Sequence, residues 1–216
     1  MTPETLRWIA GLGAVTAEAL AAHEATSVQG ARGTLAAAQR AGLVRRFRPL
    51  HRQPALHALT ARGLRACDAA GLGAARVTAG NATHLIACAR VAAALGRRHP
   101  RHRVVGEREL RSEERARGRA VASARLGLGL DGRPALHRPD LVLLPRDAEL
   151  GRPVAVEVEL TVKAPRRLAA LVRAWARCDL VDGVLYLAPD HVARAVARAI
   201  AEPAADERVV VLPLDP

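Results

Sequence analysis

Aromatic side chains are nearly missing from this chain. One Phe, one Tyr and two Trp make up 2% of 216 residues. That leaves little for the stacking platforms that hold single-stranded nucleic acid, and an RNA-directed role becomes the weakest reading. Cysteine is scarce too. Cys67, Cys88 and Cys178 are odd in number and widely spaced, with no C-x-x-C and no His/Cys cluster. Neither a disulfide framework nor a zinc site is indicated, and each is expected as a small core residue. No 18-residue apolar run occurs and no charged-then-apolar leader opens the chain, so a cytoplasmic protein without membrane contact is the default. Gly127 and Gly129 lack the strand–GxGxxG–helix context of a phosphate loop, and Asp131-Gly132 reads as a turn. No Ser/His/Asp or Cys/His pairing has local support.

What is abundant is positive charge. The formal net charge is +12 and the sequence pI about 11.4, a balance that favours polyanions, most often nucleic acid. All but one of the 33 basic residues are arginine, Lys163 being the exception. GC-rich coding also produces Arg and Ala, so the net charge is more informative than the choice of arginine. The excess is uneven: residues 1–100 carry a net +9 and residues 101–216 a net +3. A basic half for binding and a mixed-charge half for something else is the implied division. The length suffices for two small domains or one large one with a sizeable core.

Residues 1–76 have the pattern helix, helix, helix, hairpin, helix. A short helix over 4–12 stops at glycines. Thr16 can cap a second helix to about His23, and Ser27 a third to Ala41, with Gly42 where a helix stop needs positive φ. Strand-like runs at 43–48 and 55–59 flank a turn over 49–54 with a proline at each end. Thr60 caps a helix over 61–70. This is the layout of a winged helix, whose third helix enters the major groove while the hairpin touches phosphates. Gln29, Arg32 and Arg40 on the helix, and Arg45, Arg46, Arg48 and Arg52 on the hairpin, are the candidate DNA contacts. The alternative is a helical bundle with a solvated Arg-rich loop. Within residues 77–100 a linker helix over 81–95 leads to a second domain over 101–216.

That second domain reads as helix (106–118), strands (141–144 and 154–162), helix (165–178), strand (184–188), helix from Asp190, and strand (208–212), an α/β sandwich around a mixed sheet. In the strand over 154–162, period-two alternation puts Glu157, Glu159, Thr161 and Lys163 on one face. Asp140, closing Arg138-Pro139-Asp140, stands at the head of the preceding strand. Metal-dependent phosphodiester cleavage needs hard oxygen ligands and a group that activates water. Asp140 and Glu157 can share one cation, Glu159 can add a ligand or position the water, and Lys163 can offset phosphate charge. Glu107 or Glu109 on the charged helix can complete the cluster. Against this stands the wet face of an amphipathic strand, the commonest use of alternation. A lone His137 in a loop is expected to be solvated.

RPD followed by VEVE in this order of elements resembles the PD-(D/E)XK nuclease core. Asp140 matches the first acid and Glu157 the second, while Glu159 falls where that motif has lysine. The segment GERELR resembles the glutamate-bearing first helix of junction resolvases and related nucleases, which would implicate Glu107. Gly42-Leu43-Val44, then Leu59-Thr60-Ala61-Arg62-Gly63, then RPD and VEVELT, together resemble the replication-relaxation proteins of plasmids and mobile elements. The resemblance implies a DNA-binding winged helix fused to a nuclease-like domain, using Mg²⁺ or Mn²⁺ if it is catalytic. The metal ligands would be Asp140, Glu157 and Glu107, and the catalytic set Asp140, Glu157, Glu159 and Lys163. Double-stranded DNA is the expected partner, with a homodimer as an option. The leading expectation is DNA binding with metal-dependent nicking or cleavage in plasmid or mobile-element replication or mobilisation. The alternative is a non-catalytic DNA-binding regulator or accessory factor with a degenerate nuclease fold.

Overall fold

The structure is a computed structural model in which residues 1–129, 132–201 and 207–214 are described. Asp131 of the expected Asp131-Gly132 turn lies outside them. The fold is mixed α/β. Contacts divide it into two compact units, Met1–Pro100 with Val104–Ser112, and Arg101–Arg103 with Glu113–Pro216. Among the described residues no helix is long and apolar enough to cross a membrane.

The first unit is punctuated by its caps. Helix α1 (Pro3–Leu12) starts at Thr2, α2 (Ala17–His23) at Thr16 and α3 (Val28–Arg40) at Ser27, each side chain accepting a backbone N–H three residues on. That satisfies amides with no partner inside the helix. Helix α3 ends as its glycine requires. Gly42 sits at φ 70°, its N–H bonds the Gln39 carbonyl, and the Leu43 N–H bonds the Ala38 carbonyl, a paired closure that needs a left-handed residue. Leu20, Ala31 and Leu35 are buried together under Trp8 and Val28.

Strands β1 (Val44–Phe47) and β2 (Leu56–Leu59) pair antiparallel, with Val44 opposite Leu59 and Arg46 opposite His57. The residues of the Gly42-Leu43 and Leu59–Gly63 motifs lock onto one another. Thr60 Oγ1 donates to the Gly42 carbonyl at 2.6 Å and accepts the Gly63 N–H at 3.1 Å. A Cβ on Gly63 would come within 2.1 Å of the Leu43 carbonyl oxygen, so only glycine fits there. Helix α4 (Ala61–Arg65) is shorter than the expected 61–70, because Asp68 turns left-handed at φ 54° and the Ala69 N–H caps the Leu64 carbonyl. Helix α5 (Ala79–Arg98) is longer than the sequence pattern suggests. Here the Asn81 carboxamide oxygen accepts the Thr78 N–H at 2.8 Å and starts the helix early.

Strand β3 (His102–Gly106) and helix α6 (Glu107–Arg117) carry the chain from one unit to the other. The second unit continues through a hairpin, β4 (Ala124–Leu128) with β5 (Pro134–His137), and then β6 (Leu141–Pro145) and β7 (Val154–Val158). Helix α7 (Pro165–Ala176), strand β8 (Gly183–Ala188), helix α8 (Asp190–Ala201) and strand β9 (Val209–Pro213) complete it. The five-stranded sheet has the order β3-β6-β7-β8-β9. It is mixed: β6 and β7 run antiparallel, whereas β7, β8 and β9 are parallel. Leu168, Leu171, Val172 and Trp175 of α7 are buried, as are Val192, Val196 and Ile200 of α8, the stripes that helical spacing picks out.

Candidate functional site: a buried carboxylate row and a basic face

Strand β7 lies in the middle of the sheet, so its polar residues are covered rather than wet. Glu157 is 4% exposed and Glu159 6%. A carboxylate in that position needs donors, and Glu157 has two. Its Oε1 accepts the Trp175 indole N–H at 3.0 Å and lies 2.6 Å from His137 Nε2. The half-buried His137 ring meets the edge of Trp175 at a centroid distance of 5.8 Å. His137 is therefore not the solvated loop histidine of the sequence reading. It ends β5, in a hairpin that the sequence did not reveal.

Parallel register sets Tyr186 beside Glu157 on the same face. Tyr186 is 1% exposed and its hydroxyl makes no hydrogen bond of good geometry. Burial chiefly, then the negative charges of Glu157 and Asp140, push its ionisation well above the ordinary tyrosine range, with Trp175 acting in the opposite sense.

Asp140 precedes β6 and faces Glu157, one step beyond the register pair Leu141 and Val156. Its Oδ2 accepts the Val158 N–H at 2.8 Å, taking the place of a backbone carbonyl. This is why the strand is shorter than the expected 154–162. On one side the β6 ladder has given way to the Asp140 side chain, and on the other the last bond runs from Glu159 N–H to the Leu187 carbonyl at 2.9 Å. Thr161 and Lys163 thus leave the strand, and period-two alternation does not place them. Lys163 instead turns back four residues and pairs with Glu159. Burial lowers the Lys163 pKa, while Glu157 and Asp140 hold it up and Arg167 lowers it further. One lysine and three carboxylates therefore share a neighbourhood.

Among the described residues, Asp140, Glu157 and Glu159 do not bring one oxygen each within 4.8 Å of one another. Each of the three carboxylates is met by a donor from the protein, Asp140 by the Val158 N–H, Glu157 by Trp175 and Glu159 by Lys163. Glu107 belongs to the first unit, where its partner is Arg111 one helical turn on.

Sequence reasoning passed over Glu114. It is 4% exposed. One oxygen accepts the Val121 N–H at 2.9 Å and the Ser123 hydroxyl at 2.6 Å, and the other accepts Arg138 Nε at 2.9 Å. The arginine of the RPD segment is thereby tied to α6. A signal was available: Glu114 lies four residues after the buried Leu110, on the same helical stripe.

The basic candidates occupy the first unit. Gln29, Arg32 and Arg40 are exposed on α3, opposite its buried stripe of Ala31, Leu35 and Ala38. Arg45, Arg46, Arg48 and Arg52 are exposed on the hairpin and its loop. The Arg45 guanidinium lies 5.1 Å over the Phe47 ring, and Arg32 pairs with Glu18 at 3.1 Å. Apart from Glu18, these cations stand without local acidic partners among the contacts of their own helix and hairpin.

No protein family, no curated protein and no solved structure matches this chain.

Proposed function

We propose that the protein binds double-stranded DNA through its first unit, working as a winged helix, with a second unit of PD-(D/E)XK-like design whose carboxylate row serves the fold. The single observation behind this reading is the concentration of seven exposed polar or cationic side chains on α3 and on the adjoining hairpin. Helix α3 would lie in the major groove with Gln29 and Arg32 towards base edges, and Arg45, Arg46, Arg48 and Arg52 would hold phosphates. In that role the protein is a DNA-binding regulator or accessory factor, in keeping with the replication-relaxation resemblance. The test is fluorescence anisotropy of a labelled duplex with the full chain. Replacing the four hairpin arginines by glutamine should weaken binding by about a hundredfold or more at moderate salt, since each phosphate contact adds to a shared electrostatic term. Unchanged affinity would refute the proposal.

A second reading keeps catalysis. It is favoured by Asp140 facing Glu157 across β6 and β7, with Lys163 close by. On that reading Asp140 and Glu157 regroup around Mg²⁺ or Mn²⁺ when DNA enters. Supercoiled plasmid incubated with Mn²⁺ separates the two. Nicking by the wild type that is lost in both Asp140→Ala and Glu157→Ala would establish the nuclease, and no nicking would leave the accessory role.

A further inference from the structure

Strand β9 forms one edge of the five-stranded sheet, and among the described residues no strand lies beyond it. Its parallel pairing with β8 decides which backbone groups remain open. The Val184 N–H donates to the Arg208 carbonyl, and the Leu214 N–H to the Ala188 carbonyl. A parallel ladder engages alternate residues of each strand, so Arg208, Val210, Leu212 and Leu214 turn their backbone groups towards β8. Val209, Val211 and Pro213 turn theirs outward. Pro213 has no N–H to offer, and an outward position on an edge is where a sheet tolerates that.

The side chains leave the same edge open. Val210 and Leu212, on one face of the strand, are 50% and 45% exposed, whereas Val209 on the other face is buried. Natural edges are guarded by lysine, an inward-pointing charge or a bulge. Residues 209–213 carry no charge, and their pairing with β8 runs in unbroken register. Pro213 guards only the end of the strand. Such an edge is a template for another strand.

The chemistry of the edge selects which strand that is. DNA finds no cation on it, and the adjacent Arg208 gives its guanidinium to the Cys178 carbonyl. A second copy of a chain carrying +12 is repelled over much of its surface, but two uncharged strands can meet without bringing like charges together. Run antiparallel about a twofold axis at Val211, the strand is its own complement. Val211 exchanges both backbone bonds with Val211 of the other copy, and the Val209 N–H reaches the opposite Pro213 carbonyl. Val210 then stands across from Leu212 in the pair whose side chains lie closest. A twofold pairing of this kind occupies both edges and does not propagate.

We propose that β9 is a homodimer interface, through which antiparallel β9–β9 pairing joins two five-stranded sheets into one. Two five-residue strands bury well under the ~800 Å² per partner of a standard interface, so the dimer is weak, with a dissociation constant of about 10–100 µM. The interface does not rest on the DNA-binding reading, because β9 belongs to the second unit.

The test is sedimentation velocity on the full chain, freed of nucleic acid, at concentrations of about 1 to 500 µM, either side of that constant. The mass should rise with concentration from 22.9 kDa towards twice that value. Val211→Pro removes the central outward N–H and leaves every bond to β8 in place. It should weaken association by about tenfold or more, as the loss of two hydrogen bonds implies. Val210→Lys, at a half-exposed position, sets an ammonium against the opposite Leu212 and should weaken association likewise. Circular dichroism of both variants should match the wild type. A chain that stays monomeric throughout would overturn the proposal. So would undiminished association in both folded variants, or a dimer that forms only when a DNA duplex is added.

Discussion

The indole N–H of Trp175 donates to Glu157 Oε1 at 3.0 Å, fastening α7 to the central strand of the sheet. Both groups are buried, so the bond is neither shared with water nor replaceable by it. It gives a buried carboxylate, which the sequence offers as a metal ligand, a donor from the protein. Trp175→Phe keeps most of the volume and removes the donor. The expected loss is about 1–3 kcal/mol of stability, read from the urea midpoint. A midpoint unchanged from wild type would show that His137 alone satisfies Glu157 and would contradict a stabilising role for the indole bond.

Glu114 and Glu107, seven residues apart on α6, should respond very differently to removal. Glu114→Ala strands Arg138 and the Ser123 hydroxyl in a buried setting, and should cost about 3–5 kcal/mol. Glu107→Ala breaks an exposed pair with Arg111, worth about 0.5 kcal/mol or less. Equal effects in thermal or urea melts would contradict the assignment of Glu114 as the buried anchor.

The helices and their caps were legible in the sequence, because Thr16, Ser27, Thr60 and Gly42 signal local chemistry that tertiary packing did not override. Tertiary chemistry was less visible. The β4–β5 hairpin was missed since it carries a register shift between Arg125 and Gly127 and few strand-forming residues. With it went the position of His137. The strand bearing Glu157 was drawn too long, because alternation continues through Lys163 although the ladder on both sides has ended by Glu159. Which carboxylate on α6 is buried depended on the stripe containing Leu110, a pattern outweighed by the general acidity of the helix.

Tyr186 supplies a pH test, being the only tyrosine in the chain. Its folded pKa is raised above the value of 10.0 in an unfolded chain. Unfolded protein therefore loses this proton first as pH rises. The stabilising contribution is intact below about pH 10 and declines above it. Phenolate absorbance should stay low while the fold persists and appear only with unfolding, and Tyr186→Phe should resist alkaline unfolding better than wild type. Reversible titration near pH 10 with native circular dichroism would contradict the buried placement.

Two glycines separate packing from conformation. Gly63→Ala would drive a Cβ into the Leu43 carbonyl and should cost about 3 kcal/mol or more. Gly33, exposed in the middle of α3, has nothing within 4 Å of an added Cβ. Gly33→Ala should stabilise by about 0.5–1 kcal/mol. Melting both variants beside wild type checks the opposite signs.

The central claim is that arginines of the first unit hold duplex DNA through its phosphates, and the most direct measurement is affinity against salt concentration. A plot of log K against log salt should be linear with a slope of about −4 to −6, and glutamine at Arg45, Arg46, Arg48 and Arg52 should flatten it by about 3 to 4. A shallow wild-type slope, or the same slope in the fourfold variant, would contradict the account.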